Sequence, residues 1–425
     1  MKRRPAILRP LAIRDFALLW SGMTISLLGD GVFFVALAWQ TYSLSNRPTA
    51  LSLVSIGYVL PQVLLLLLGG VLSDRFERRR LMMLSDLLRG AAVAGMSALA
   101  LAGTLELWHL VALVVVFGAG DALFAPAFGA IVPDIVPAEQ LVEANSLDQF
   151  VRPAARLVGP ALGGALVAGV GAGYAFLFEA VTFACSFAAL ALMQARPHPP
   201  REEAPMSMLR DIADGFRYAR SRTWLWGTLV AAAFGNVVGA ALAILVPYIV
   251  KNLIHGSATE YGFVVSAGAV GGLVGSFAIS QLGFPRRHIL LMLGAWGLGG
   301  YAILGWAAAD AVWQGMLIGF GLGVGAAVGQ VVWGTLMHTL VPRELLGRVS
   351  SLDWMVSISL VPLWYAIVGP VAQAIGARET ILAAGLLGGT APIAFLFLPG
   401  MRDTERDGSV TGRLRATAKE TAPVA

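Results

Sequence analysis

Three carboxylic acids, Asp30, Asp121 and Glu179, stand inside runs of otherwise apolar residues. Holding an ionisable side chain in that much hydrocarbon costs on the order of a few kcal/mol, so it normally faces a cavity or a partner. Loss of water favours the neutral form of a carboxyl group. Such an acid can take up a proton and release it when its surroundings open. A static ion pair is the competing reading, for instance Asp121 with Arg156. Arg152 and Arg156 lie one helical turn apart on a common face and are the nearby cations. Glu179, toward one end of its run, can also simply be solvated. Asp86 and Arg89, three residues apart, read as a local, solvated pair close to a basic loop.

Other chemistries have little to build on. The single cysteine, Cys185, leaves no internal disulfide framework or thiolate metal site. Five histidines, none beside another, give no recognisable metal set, and no G-x-x-x-x-G-K-[ST] phosphate loop occurs. No clustered nucleophile and base is evident at membrane depth. The expectation is therefore a protein without cofactor or metal that is not an enzyme and binds no nucleic acid.

The elements that position these acids follow from composition. Of 425 residues, 57% are hydrophobic and 13% charged, the balance of a chain whose main solvent is lipid. A crossing needs about 20 apolar residues. Twelve stretches qualify: 16–43, 50–72, 81–103, 107–131, 149–169, 172–194, 224–249, 259–282, 288–309, 311–336, 350–375 and 378–398. Backbone groups cannot go unpaired in lipid, so the expected fold is an all-α polytopic membrane protein. On an inside N-terminus only Arg47, Lys251 and Arg378 fall in outer loops, which places both termini in the cytoplasm. Residues 1–195 form one six-helix bundle and 224–399 a second, with a cytoplasmic tail over 400–425. The linker, 196–223, carries an amphipathic helix with Leu209, Ile212, Phe216 and Ala219 on its apolar face.

The halves repeat each other. Val136-Pro137, Leu141 and Ser146-Leu147-Asp148 recur 205 positions later as Val341-Pro342, Leu346 and Ser351-Leu352-Asp353. Both copies are read as loops preceding outward-going helices, which then carry Gly159-Pro160 and Gly369-Pro370. Repeats of like orientation imply two pseudo-symmetric bundles able to rock about a site between them.

Gly70-Val-Leu72-Ser-Asp74-Arg75, followed by Arg78 and Arg79, resembles the signature loop of the major facilitator superfamily. Glu77 stands where the family pattern has a second glycine. The resemblance implies that Asp74 caps the cytoplasmic start of helix 11 and helps lock one state. Asp353, at that same predicted helix start, is a second natural cap and a partner for Arg75; Arg78 and Arg79 read as positive-inside anchors. Gly159-Pro160-Ala-Leu-Gly163-Gly164 is similar to the motif of the superfamily's proton-coupled antiporters, and its glycines also suit close helix packing. Phe124-Ala-Pro126 and Leu141-Val-Glu-Ala144-Asn145 resemble the exporter branch with macrolide-efflux, mycobacterial multidrug-efflux and enterobactin-exporter proteins.

The resemblance implies a secondary active transporter of the inner membrane, a monomer in a bacterium, exporting amphiphilic drugs in exchange for protons. A dedicated metabolite or siderophore exporter and a lysophospholipid transporter or flippase are the alternatives. Phe33, Phe34, Phe124, Phe128, Asn236, Gln330, Trp333 and Trp364 are the candidates for lining its substrate cavity.

Overall fold

A hydrophobic segment in lipid satisfies its backbone by coiling, and the chain does so almost throughout. The computed structural model describes residues 6–75, 77–194, 208–408 and 410, without the side chains of 6, 66–75, 208–212 and 343. Six helices come from the first half: α1 (Arg14–Leu44), α2 (Pro48–Arg75), α3 (Arg78–Leu101), α4 (Leu107–Ile135), α5 (Leu141–Val170) and α6 (Ala172–Leu192). After a short α7 (Met208–Arg220), the second half provides α8 (Thr223–Asn252), α9 (Ala258–Leu282), α10 (His288–Ala302) and α11 (Val312–Leu340). It ends in α12 (Arg343–Ser359), α13 (Val361–Ile375) and α14 (Ala377–Phe395). Among the described residues there is no strand.

Among the described residues, eleven helical stretches are long and apolar enough to cross a membrane, α12 and α13 counting together. α14, at the twelfth predicted span, is helical but is not among the eleven. The predicted single helix over 350–375 is interrupted at Leu360, because Pro362 sits in the first turn of α13 and cannot donate back to α12. The repeated motifs are also not loops. Only their Val-Pro steps are outside helix, and Leu141 and Arg343 already open α5 and α12. Proline is favoured at such starts because its missing N–H would be unpaired there anyway. Asp148 and Asp353 therefore lie well inside helices, and Asp353 is not an N-terminal cap.

Two compact units result. One holds Met1–Glu202 with Pro247–Ser266, and the other Glu203–Val246 with Ala267–Ala425. In the first, α1 packs on α5 and α6, and α3 on α4 and α6. Its aromatic core is Phe33 stacked on Phe117 at 4.5 Å between centroids, with Phe176 and Phe183 around them. The glycines of α5 are a packing seam. A β-carbon on Gly159 would lie 2.8 Å from Gly31 Cα, and one on Gly163 2.8 Å from Val32 Cα. Gly164 meets Thr259, whose hydroxyl donates to the Gly164 carbonyl at 3.2 Å, and Ser266 donates to Leu157 O at 2.7 Å.

In the second unit, α7 packs on α12 through Gly215, against the Arg348 backbone, and through buried Ala219. Asp214 accepts from Arg348 at 3.1 Å, and Tyr218 donates to Leu340 O at 3.3 Å. Phe216, expected on the apolar face, is exposed instead. The short Gly215 lets the backbone approach, so the helix buries that edge.

Candidate functional site

Four helices of the first unit bring their charged residues to one place. Arg89 on α3, 3% exposed, is at its centre. Its guanidinium bonds Asp86 Oδ1 at 2.7 Å and lies 3.4 Å from Asp121 Oδ1 on α4. The rings of Phe124 and Phe183 cover it at 4.7 and 4.5 Å, a cation–π arrangement that substitutes for water. Close helix approach makes this possible. Gly120 sits against the Arg89 stem and the Ser85 carbonyl, and Ser85 Oγ donates to Gly120 O at 2.7 Å. Tyr58 on α2 donates to Asp121 Oδ2 at 2.9 Å.

Beside this lies a carboxyl pair. Asp30 on α1 and Glu179 on α6 are neighbouring carboxyl groups, with Glu179 Oε2 in the space beside Gly29. Glu179 is wholly buried, and its Oε2 accepts from Thr182 Oγ1 at 2.7 Å. Asp30 reaches further. Together with Arg89, Asp121, Phe124 and Phe128 it lines a cavity of about 570 Å³ that extends to Asp148 and Arg152. Four carboxyl groups thus surround one guanidinium. A single cation cannot balance four carboxylates, so protons or a bound cation must meet the remainder.

Several sequence expectations change here. Asp86 and Arg89 are not a solvated pair; both are buried. Asp121 pairs with Arg89 and Tyr58 rather than with Arg156, which is exposed. Glu179 is not solvated. Arg152 pairs with Asp148 on its own helix at 2.9 Å. Depth was the signal that marked Arg89: counted from Leu81 it lies about 12 Å into the span. Tyr58 had no such signal in the sequence.

Of the cavity candidates, Phe124 and Phe128 line the first cavity. Phe33 is core and Phe34 packs edge-on against Tyr58, 5.2 Å between centroids. Asn236, Gln330 and Trp333 line a second cavity of about 530 Å³, inside the other unit. Trp364 is not among its walls; its indole donates to Ala233 O at 2.9 Å.

The side chains of Gly70, Asp74 and Arg75 fall outside the described residues. Arg78 and Arg79 are more than anchors. Arg78 bonds Asp134 and the Ala130 carbonyl at the end of α4. Arg79 donates to Leu190 O and Ala191 O, both at 2.7 Å, adding charge-assisted bonds to carbonyls in the last turn of α6.

Comparison with known proteins extends this picture. A family model described as transmembrane secretion effector, MFS type, matches residues 6–410. The multidrug efflux pump Tap of Mycolicibacterium fortuitum is 27% identical over 422 residues, covering 93% of this chain and 97% of that protein. The enterobactin exporter EntS of Citrobacter koseri is 28% identical over 335 residues, 76% of this chain and 78% of that one. Among solved structures, a bacterial homologue of the iron transporter ferroportin superposes with a TM-score of 0.70 at 19% identity, covering 91% of this chain and 99% of its own. The D-xylose-proton symporter does so at 0.65 and 15%, covering 91% and 98%.

Proposed function

The chain belongs to the major facilitator superfamily, and from that premise we propose that it exports amphiphilic small molecules across a bacterial cytoplasmic membrane by alternating access, in exchange for protons. As a membrane transporter it matches an efflux pump and a siderophore exporter over most of its length, which supports the outward direction. The observation that carries the proton half is the Asp30–Glu179 pair, buried at Glu179 and open to the cavity at Asp30.

A proton arriving from outside reaches Asp30 through the cavity and is shared with Glu179. Neutralising that corner removes negative charge from the first unit's cavity and favours the state from which the substrate leaves. Arg89, already bound to Asp86 and Asp121, keeps the remaining charge balanced while the proton moves. Release of the proton to the cytoplasm restores the carboxylate and readies the site. The distribution of Lys and Arg supports cytoplasmic termini, and the working unit is a monomer.

Uptake of ethidium into energised inverted vesicles tests this reading. Wild type should accumulate the dye, and an uncoupler should abolish the accumulation. Asp30→Asn and Glu179→Gln should each remove most of it. Accumulation that ignores the uncoupler would overturn proton exchange. Failure of every dye, with the protein correctly inserted, would favour a single dedicated metabolite instead.

A further inference from the structure

The internal repeat places equivalent residues in two different electrostatic situations. In the first half, Phe128-Gly129 on α4 faces Asp148 and Arg152 on α5. Arg152 Nε lies 2.9 Å from Asp148 Oδ2, and its guanidinium is 5.7 Å from the centre of the Phe128 ring. That half therefore carries its own cation between a carboxylate and an aromatic face.

The same register, 205 residues on, gives Trp333-Gly334 on α11 and Asp353 and Ser357 on α12. The carboxylate and the aromatic ring are kept, with Trp333 Nε1 donating to Asp353 Oδ2 at 3.0 Å. The arginine has become Ser357, one helical turn on from Asp353. Ser357 is held in place by Asn236, which donates to its carbonyl at 2.9 Å.

This position opens on the second unit's cavity of about 530 Å³, a size suited to a drug-like ligand. Trp296, Trp333 and Trp354 contribute indole surface, and Asn236 and Gln330 contribute amide groups. Asp353 is the only ionisable residue in its described lining. A carboxylate among indoles attracts a cation twice over, by charge and through the ring quadrupoles.

We propose that this cavity binds an organic monocation bearing aromatic bulk, with Asp353 as counter-ion and Trp333 and Trp354 as its apolar walls. The ligand's charge takes the place that Arg152 occupies in the first half. This specifies the substrate class of the export reading and rests on it.

The test is calorimetric titration of the purified full-length protein with tetraphenylphosphonium, and with triphenylphosphine oxide as a neutral control. Wild type should prefer the cation. Asp353→Asn should weaken its binding about tenfold or more and erase the preference over the neutral control. Ser357→Arg, which copies the first half's arginine, should do the same. Thermal unfolding of each variant checks that it is folded. Equal affinity of wild type and Asp353→Asn for the cation would overturn the proposal, as would wild type showing no preference for it or Ser357→Arg binding normally. Uncoupler-sensitive ethidium uptake is measured on the same preparations. Uptake that persists alongside a failed titration sinks only the cation site; loss of uncoupler sensitivity sinks the export reading alone.

Discussion

The carboxyl group of Glu179 occupies the space where a β-carbon on Gly29 would stand, with Thr182 Oγ1 beside it, which makes Asp30 its neighbour. No β-carbon fits between the two helices at this point. The meeting of α1 and α6 that creates the carboxyl pair thus depends on one missing methyl group.

Gly29→Ala should therefore push α1 away from α6 and destabilise the folded protein by about 1–3 kcal/mol, the usual cost of overpacking. Thermal unfolding in detergent measures it. Adding Glu179→Ala should recover part of the stability by removing the carboxyl half of the clash, leaving Thr182 Oγ1, but not the uncoupler-sensitive uptake. A double variant as unstable as the single one would refute the contact.

Arg89 is the one cation among four carboxyl groups, so removing it leaves buried charge without a partner. Arg89→Ala should cost about 3–5 kcal/mol of stability. Arg89→Lys should fall between it and wild type, because an ammonium cannot span Asp86 and Asp121 or spread over two rings. Pairing Arg89→Ala with Asp86→Ala should restore part of the loss, read from the same unfolding curves.

The seam on α5 separates glycines that matter from one that does not. Gly159→Ala and Gly163→Ala each drive a methyl group to within 2.8 Å of the α1 backbone. Both should destabilise by about 1–3 kcal/mol. Gly169, on the same helix, has nothing within 4 Å of a built β-carbon. Gly169→Ala should leave stability unchanged or raise it by up to about 1 kcal/mol through helix propensity. A uniform response across the three would show that packing is not what distinguishes them.

Arg79 and Arg80 are neighbours in the basic loop with different duties. Arg79→Ala removes two charge-assisted bonds to the last carbonyls of α6 and should cost about 1.5–3 kcal/mol. Arg80, which makes only a surface pair with Glu77, should be replaceable by alanine with no measurable shift in unfolding temperature. Equal effects would return both to the role of topological anchors.

The sequence by itself determined the solvent of this protein, its helices and the residues unusual enough to be a site. Transfer into lipid is a local property, so a one-dimensional scan finds the crossings, and Asp30, Asp121 and Glu179 stand out as acids within them. The repeat and the Gly-Pro motif were legible for the same reason, since both are patterns along the chain. What tertiary structure alone decided was who meets whom. Asp86 and Arg89 look like a local pair until α3, α4 and α6 close around them, and Asp353 looks like a helix cap until α12 is seen to begin at Arg343. Partner choice across helices depends on their rotation and closeness of approach, set by glycines such as Gly29, Gly120 and Gly163 acting together. Hydropathy carries no record of rotation, because lipid rewards an apolar residue equally on every face.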